Sequence, residues 1–441
     1  MIKLSDHFSF GKLIKFVFPT VIMMIFTSIY SVVDGFFVSN FAGKTSFAAI
    51  NLIMPVLMII GAIGFMFGAG GSALVAKTLG EKNREKANKI FSLIIVTALV
   101  LGVILSTVGN LLVKHIAFLL GARGELLRLC TVYGRILLIS MPFFMLQNIF
   151  QSFFVTAEKP KLGLAVTLAA GVTNIVLDAL FIGVFKWGIV GAAVATSLSE
   201  FLGGFVPLVY FLSKNSSTLR LVRPEFNGRA LLKTATNGSS EFVTNISMSV
   251  VGALYNLQLM KYAGENGIAA YGVIMYVSFS FVAIFLGFSI GASPIIGYNY
   301  GAKNISELKN VFRKCLLFVS GAGAVLTGLA LVLSAPLSKF FVGYDEELFR
   351  LTLHGFRIYA LSFLLNGFGV FGSAFFTALN NGVISAVISF LRILVFQTAA
   401  ITVLPIFFRI EGVWWAIVVA EILAATTAFF FIFKNKKKYG Y

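Results

Sequence analysis

Long apolar runs recur along this 441-residue chain and constrain its fold more than any other feature. A run of about 20 apolar residues can cross the hydrocarbon core of a bilayer as an α-helix. Charged residues make up only 12% of the chain, about half the fraction found in soluble domains. The runs predict an all-α membrane protein with twelve transmembrane helices. Their approximate limits are residues 13–38, 47–76, 90–112, 130–157, 162–184, 189–212, 235–260, 268–297, 311–333, 352–379, 383–407 and 411–433.

The second half of the chain repeats the first at an offset of 221 positions. Coinciding pairs include Ala42 and Ala263, Gly43 and Gly264, Gly70 and Gly291, Gly80 and Gly301, Thr156 and Thr377, Gly191 and Gly412, and Glu200 and Glu421. Each half holds six apolar runs, so we expect two pseudo-symmetric six-helix lobes. The expected divisions are an N-terminal lobe at 1–212, a basic cytoplasmic linker at 213–234 and a C-terminal lobe at 235–441.

The distribution of positive charge predicts the orientation in the membrane. The net charge is +18, and 23 of the 35 Lys and Arg residues fall in alternate loops or at the termini. An excess of Lys and Arg is typical of cytoplasmic loops. We therefore expect both termini in the cytoplasm, with the lipid bilayer rather than nucleic acid as the partner.

Four polar residues of the first half are not matched in the second, and none of their counterparts is an acid or an amide. The repeat pairs Asp34 with Tyr255, Asn174 with Val395, Asp178 with Ala399 and Thr196 with Ile417. A charged side chain in a membrane span usually faces a cavity or a partner. Both acids lie far from the predicted cytoplasmic ends of their helices, at roughly 24–32 Å for a rise of 1.5 Å per residue. Helix 6 is predicted to begin at the outer face of the membrane. Thr196 lies one to two turns from that end, at a depth comparable to that of the two acids.

These four side chains converge if helices 1, 5 and 6 are neighbours. Asn174 and Asp178 share a helix face because they are four residues apart. Two carboxylates that lie close together repel, so one of them readily accepts a proton. The same oxygens could instead bind Na⁺, which is the one metal ion we consider. We expect a coupling-ion site for H⁺ or Na⁺ and no other cofactor; the alternative is a hydrogen-bond network that only packs helices.

Further residues are candidates for the substrate cavity and for conformational change. Tyr30 and Thr27 share a helix face with Asp34, and Gln151 and Glu241 are also cavity candidates. Pro19 removes one backbone hydrogen bond inside helix 1, so it could act as a hinge or produce a static bend. The matched Glu200 and Glu421 suggest a structural role, whereas the unmatched Arg392 could neutralise an acid of its own lobe.

An ordered set of short motifs resembles the multidrug and toxic compound extrusion (MATE) family, and its DinF-like and MepA-like bacterial branches most closely. The motifs are Val33-Asp34-Gly35, two Gly-x-Lys-Asn turns after helices 2 and 8, Asn174-x-x-x-Asp178, Gly191-Ala192-Ala193-x-Ala195-Thr196, and Gly412-Val413-Trp414-x-Ala416 with Glu421. The resemblance covers essentially the whole chain.

The resemblance implies two lobes in a V shape and export of amphipathic, often cationic compounds by alternating access, driven by influx of H⁺ or Na⁺. It implies a monomer in the bacterial cytoplasmic (inner) membrane. Residues matching Asp34, Asn174, Asp178 and Thr196 form the ion site in DinF-like members. Glu241 matches a helix 7 glutamate of NorM-like members, but helix 10 of this chain lacks the acid that joins it there.

Two alternatives give different expectations. A lipid-linked glycan flippase of the same superfamily usually has fourteen helices and a cationic cavity, whereas this chain has twelve apolar runs. An intramembrane enzyme would need a motif such as His-Glu-x-x-His, and the sequence contains none. The sequence therefore predicts a transporter and not an enzyme.

Overall fold

The computed structural model describes residues 2–441, apart from the side chain of Ser31. α-Helices and three π-helical segments make up nearly all of this part of the chain, which contains no β-strand. The helices of the first half are α1 (Phe10–Phe37), α2 (Lys44–Gly80), α3 (Arg84–Leu119), α4 (Gly124–Thr156), α5 (Pro160–Asp178) and α6 (Gly188–Leu212). Those of the second half are α7 (Gly228–Gly301), α8 (Ile305–Val342), α9 (Glu346–Ala360), α10 (Phe363–Ala378), α11 (Gly382–Ser389) and α12 (Thr398–Tyr439).

These helices provide the twelve predicted spans. Nine continuous helical segments in residues 2–441 are long and apolar enough to cross a membrane, and α9 with α10 forms a further span bent by 49°. Two of the nine contain two spans each, because α7 is interrupted by a non-helical residue at Gly264 and α12 by one at Arg409. The protein is therefore an all-α membrane protein, as the apolar runs predicted.

The link between the halves is shorter than the sequence suggested. Residues 213–227 are not helical, and α7 begins at Gly228 rather than near 235. Asn227 caps this helix by accepting a hydrogen bond from the backbone N–H of Ala230. The cap satisfies one of the N–H groups that have no partner within the helix. The helix can therefore begin with polar residues before the apolar run.

The two Gly-x-Lys-Asn motifs form matching turns. Lys82 and Lys303 have positive φ angles of 61° and 55°, a backbone region that reverses the chain after a helix. The next residues, Asn83 and Asn304, cap α3 and α8 through their side-chain oxygens. The repeated motif therefore ends one helix and starts the next in each half.

Both chain termini lie at one face of the molecule, which we call the terminal face. The Leu4 N–H donates to Glu158 Oε1 of the first half at 2.8 Å, and the Phe8 N–H donates to Glu307 Oε1 of the second half at 2.8 Å. At the other end of the chain, Tyr439 Oη accepts a hydrogen bond from Asn381. The N-terminal segment thus contacts both halves at this face.

The two halves pack tightly near the terminal face through glycines of α2 and α7. A Cβ atom built at Gly238 would overlap the backbone carbonyl of Met66, and one built at Gly80 would overlap that of Tyr298. Neither position has room for a side chain. Small residues let helix backbones approach closely in membrane proteins, so these glycines close the terminal face.

Candidate ion and substrate sites

Asp34 and Asp178 lie beside one another near the ends of two packed helices. Asp34 is close to the C-terminal end of α1, Asp178 is the last residue of α5, and α1 packs against α5. Their carboxyl groups are close enough to interact directly. Two negative charges at this separation repel strongly in a medium of low dielectric constant. The pair therefore favours a proton or a cation between the two carboxyl groups.

Each acid is followed by a π-helical segment, which the sequence analysis did not predict. The segments are Val38–Ala42 after α1 and Ala179–Val184 after α5. A π-helical turn is rare and often marks a functional site. Its backbone hydrogen bonds join residues five apart, instead of four apart as in an α-helix. The helices therefore lose regular hydrogen bonding immediately beyond the two carboxyl groups.

The polar atoms around this pair lack hydrogen-bond partners. Six buried atoms have none in the described part of the chain: Asp34 Oδ1, Asp178 Oδ1 and Oδ2, Asn174 Oδ1 and Nδ2, and Thr196 Oγ1. Asn174 is 2% exposed and Asp178 is fully buried. Since buried polar groups are nearly always paired, a cluster of unpaired oxygens is typical of a site that binds an ion. Oxygen ligands suit H⁺ and hard cations alike.

The helices that carry these residues are in contact. α5 packs against both α1 and α6, and α6 meets the first helix through its π-helical segment Val38–Ala42. Asp34, Asp178 and Thr196 therefore come from adjoining elements, and Asn174 lies one turn before Asp178. In the described residues, no three His, Cys, Asp or Glu side chains gather as a transition-metal site would require. We call these four candidate residues, Asp34, Asn174, Asp178 and Thr196, the first-half ion site.

Two tyrosines and a third acid adjoin this site. Tyr30 interacts electrostatically with Asp34 and Glu200, and Tyr133 of α4 interacts with all three acids. Tyr30 could be predicted because it lies four residues before Asp34 on one helix, whereas nothing in the sequence around Tyr133 marks it. Ser140 donates a hydrogen bond of 2.5 Å to Glu200 Oε2.

The matched Glu421 has different partners from Glu200. Arg392 donates to Glu421 from Nη2 at 3.0 Å and from Nε at 3.1 Å, and Asn366 donates to it at 3.2 Å. Arg392 was predicted to neutralise an acid of its own lobe, and the structure shows that this acid is Glu421. The second half thus holds an ion pair at the repeat position where the first half holds an acid bonded to a serine.

The remaining candidates are distributed over the molecule. Thr27 lies on α1 and donates to the Met23 carbonyl at 2.9 Å, and Gln151 is buried on α4. Glu241 lines a small cavity between the halves with Ser72 of α2. α1 continues as one helix through Pro19. The structure therefore brings Tyr30 to the ion site and places Glu241 in a separate cavity.

Comparison with known proteins identifies the family. The model of the MatE family matches residues 19–180 and again residues 242–401, which together are most of the chain. The chain belongs to the MatE family. Its two matched regions begin 223 residues apart (242 − 19) and end 221 residues apart (401 − 180), so each covers one copy of the repeat.

Multidrug export proteins are similar to this chain over nearly its whole length. The multidrug export protein MepA of Staphylococcus saprophyticus is 27% identical over 96% of this chain and 93% of its own length. MepA of Staphylococcus haemolyticus is 26% identical over 97% of this chain and 94% of its own. A solved structure described as the outward-facing conformation of a multidrug resistance MATE transporter has a TM-score of 0.93 and 23% identity, covering 98% of this chain and 97% of that one. The chain therefore has the MATE fold.

Proposed function

We propose that this protein is a secondary active exporter that exchanges amphipathic, often cationic compounds for H⁺ or Na⁺. Membership of the MatE family and similarity to multidrug export proteins named MepA support export of small molecules. A membrane fold whose longest non-helical connection is the link 213–227 contains no soluble catalytic domain within the described residues. The protein is a transporter and not an enzyme, and apart from the coupling ion we expect no cofactor.

The closeness of the carboxyl groups of Asp34 and Asp178 is the observation that carries the coupling mechanism. The two negative charges repel, and the polar atoms of Asn174 and Thr196 have no hydrogen-bond partner among the described residues. A proton or Na⁺ that enters this site removes the repulsion and draws the oxygens together. Because the two acids lie on separate helices, α1 and α5, binding of the ion changes how these helices pack against each other.

Alternating access follows from this change in packing. We propose that substrate occupies the cleft between the halves, near Tyr30, Thr27, Gln151 and Glu241. Ion entry would bend α1, with Pro19 as the hinge, and so expel the substrate. On this proposal the terminal face is cytoplasmic, and the protein works as a monomer in the bacterial cytoplasmic membrane. A proton and Na⁺ remain alternative coupling ions.

Replacing Asp34 tests this proposal in cells. Asp34→Asn keeps the size of the side chain but removes the charge pair, so ion binding should no longer drive transport. We expect ethidium efflux from cells that express Asp34→Asn to fall to the level of cells with an empty vector. Glu346→Gln, which neutralises an exposed acid, is the matched control and should keep wild-type efflux. Wild-type efflux by Asp34→Asn at equal expression would refute the assignment.

A further inference from the structure

A cavity of about 460 Å³ lies at the terminal face of the first half, between the starts of α1 and α5. It is separate from the first-half ion site, because Asp34 and Asp178 lie near the opposite ends of the same two helices. Much of its wall is apolar and is formed by Ile2, Phe16, Pro19, Pro160 and Leu162.

The charged groups of this cavity are mainly basic. Its lining contains three lysines and one acid, Glu158, so the formal charge is +2 (3 − 1). Glu158 accepts the hydrogen bond from the Leu4 N–H, and burial raises the pKa of its carboxyl group, which weakens the one negative charge. Lys159 donates to Ser216 Oγ at 2.9 Å, so the link between the halves holds its ammonium group beside the cavity. The cavity therefore attracts anions.

The other two lysines, Lys15 and Lys161, have no partner within the described chain. Neither forms an ion pair or a side-chain hydrogen bond with any residue that the structure describes. Lys12, three residues before Lys15, is by contrast paired with Asp6 at 2.9 Å. Both unpaired lysines are exposed. Two ammonium groups at one cavity can therefore bind an anionic ligand without breaking an existing ion pair.

Both lysines lie at the ends of apolar helix faces that are exposed along the membrane spans. On α1, Lys15 is followed by Phe18, which is 56% exposed, and three turns later by Ile29, which is 48% exposed. On α5, Lys161 is followed three turns later by Val172, which is 51% exposed. A lysine near the end of a transmembrane helix extends its ammonium group to the headgroup region. The cavity thus opens toward the bilayer at the level of the lipid headgroups.

The repeat shows that this space is specific to the first half. The counterpart of Lys15 is Thr236, and the counterpart of Lys161 is Gly382. A Cβ atom built at Gly382 would overlap the backbone carbonyl of Thr236, so these two positions are in direct contact. α7 and α11 therefore touch where α1 and α5 leave a cavity. Both the space and the lysines beside it depart from the shared architecture of the halves.

We propose that this cavity, which we call the lysine cavity, binds the phosphodiester headgroup of an anionic phospholipid. Lys15 and Lys161 contact the phosphate, and the acyl chains lie along the exposed faces of α1 and α5. Basic pockets between transmembrane helices are typical sites for anionic headgroups. A soluble phosphate compound would gain the charge contacts but would leave the lipid-facing surfaces unused. The inference goes beyond the proposed function, since lipid binding requires no transport.

Lipid binding to the purified protein tests the lysine cavity. The protein in detergent micelles is titrated with dioleoyl phosphatidylglycerol or with dioleoyl phosphatidylcholine, and bound lipids are counted by native mass spectrometry. The wild type should bind its first phosphatidylglycerol about tenfold more tightly than phosphatidylcholine, because each lysine near an anionic headgroup increases affinity severalfold. Lys15→Gln/Lys161→Gln should bind the two lipids about equally, with affinity for phosphatidylcholine unchanged.

Two control variants separate the lysine cavity from general charge effects. Lys309→Gln/Lys437→Gln removes two exposed lysines from the terminal ends of α8 and α12, so it lowers the net charge by the same amount. Lys15→Arg/Lys161→Arg keeps both charges in place. Each control should keep the wild-type preference, and its loss in either would overturn the proposal. Equal binding of the two lipids by the wild type would also overturn it, as would full preference in Lys15→Gln/Lys161→Gln.

Glycerol 1-phosphate distinguishes a lipid from a soluble phosphate compound as the ligand. It carries an anionic phosphate but no acyl chains, so it should not displace phosphatidylglycerol from the wild type even in large molar excess. Displacement would overturn the assignment to a lipid and would identify the lysine cavity as a site for soluble phosphates.

Discussion

Glu200 and Glu421 occupy the same position in the repeat, but only Glu421 has a cationic partner. Arg392 contacts Glu421 through two nitrogens, whereas Glu200 is held by the hydroxyl of Ser140. The pairing could not be predicted from the sequence, because Arg392 and Glu421 lie on separate elements whose rotation about their own axes is set by packing. The grouping of Asp34, Asn174, Asp178 and Thr196 on adjoining elements could be expected from the sequence, since Asn174 and Asp178 share a helix and the repeat marks all four as unmatched.

Arg392→Gln should destabilise the protein strongly. It leaves the carboxylate of Glu421 buried without a cation, and breaking a buried ion pair in this way lowers the free energy of unfolding by about 3–5 kcal/mol. Glu200→Gln removes no ion pair and keeps an acceptor for Ser140, so its effect should be below about 1 kcal/mol. The measurement is denaturant unfolding in detergent micelles.

The double variant Arg392→Gln/Glu421→Gln is the control for this comparison. It removes both charges, so it should recover most of the stability that Arg392→Gln loses. If Arg392→Gln is as stable as Glu200→Gln, the ion pair does not hold the second half together as described.

At the scale of helices, the apolar runs predicted the spans, because each span must be long enough to cross the bilayer. They did not predict the π-helical segments Val38–Ala42 and Ala179–Val184, since these depend on packing against neighbouring helices. They also missed the 49° bend between α9 and α10. The depth of the acids could be estimated from the rise per residue, but the irregular backbone beside them could not.

The glycine contact between α2 and α7 should be needed for transport. In Gly238→Val the side chain would overlap Met66 and Gly70 of α2, so the two halves could not close at the terminal face. We expect ethidium efflux to fall severalfold and a cysteine placed at Ser72, in the cavity between the halves, to react faster with a maleimide added from the terminal face.

Gly321→Val is the matched control, because nothing lies within 4 Å of the Cβ position at Gly321 and the residue is exposed. It adds the same side chain to α8 without an overlap, so it should keep wild-type efflux and labelling. Equal behaviour of the two valine variants would show that close packing at Gly238 is dispensable.

At the scale of the whole molecule, the 221-residue repeat predicted two halves of six spans each. It could not predict how the N-terminal segment joins them, since Leu4 and Phe8 contact residues 154 and 299 positions away. Burial raises the pKa of Glu158, whose carboxylate accepts the hydrogen bond from the Leu4 N–H. Repeat symmetry describes each half alone, so the contacts between the halves had to be read from the structure.

Transport by the purified protein in liposomes shows directly whether the Asp34 and Asp178 carboxyl groups bind the coupling ion. Ethidium movement would be measured under an imposed pH gradient alone and under an imposed Na⁺ gradient alone, for wild type, Asp34→Asn and Asp178→Asn. We predict that one of the two gradients drives transport by the wild type and that neither drives it in the two variants. Gradient-driven transport at the wild-type rate by Asp34→Asn or Asp178→Asn would contradict the claim that the first-half carboxyl pair binds the coupling ion.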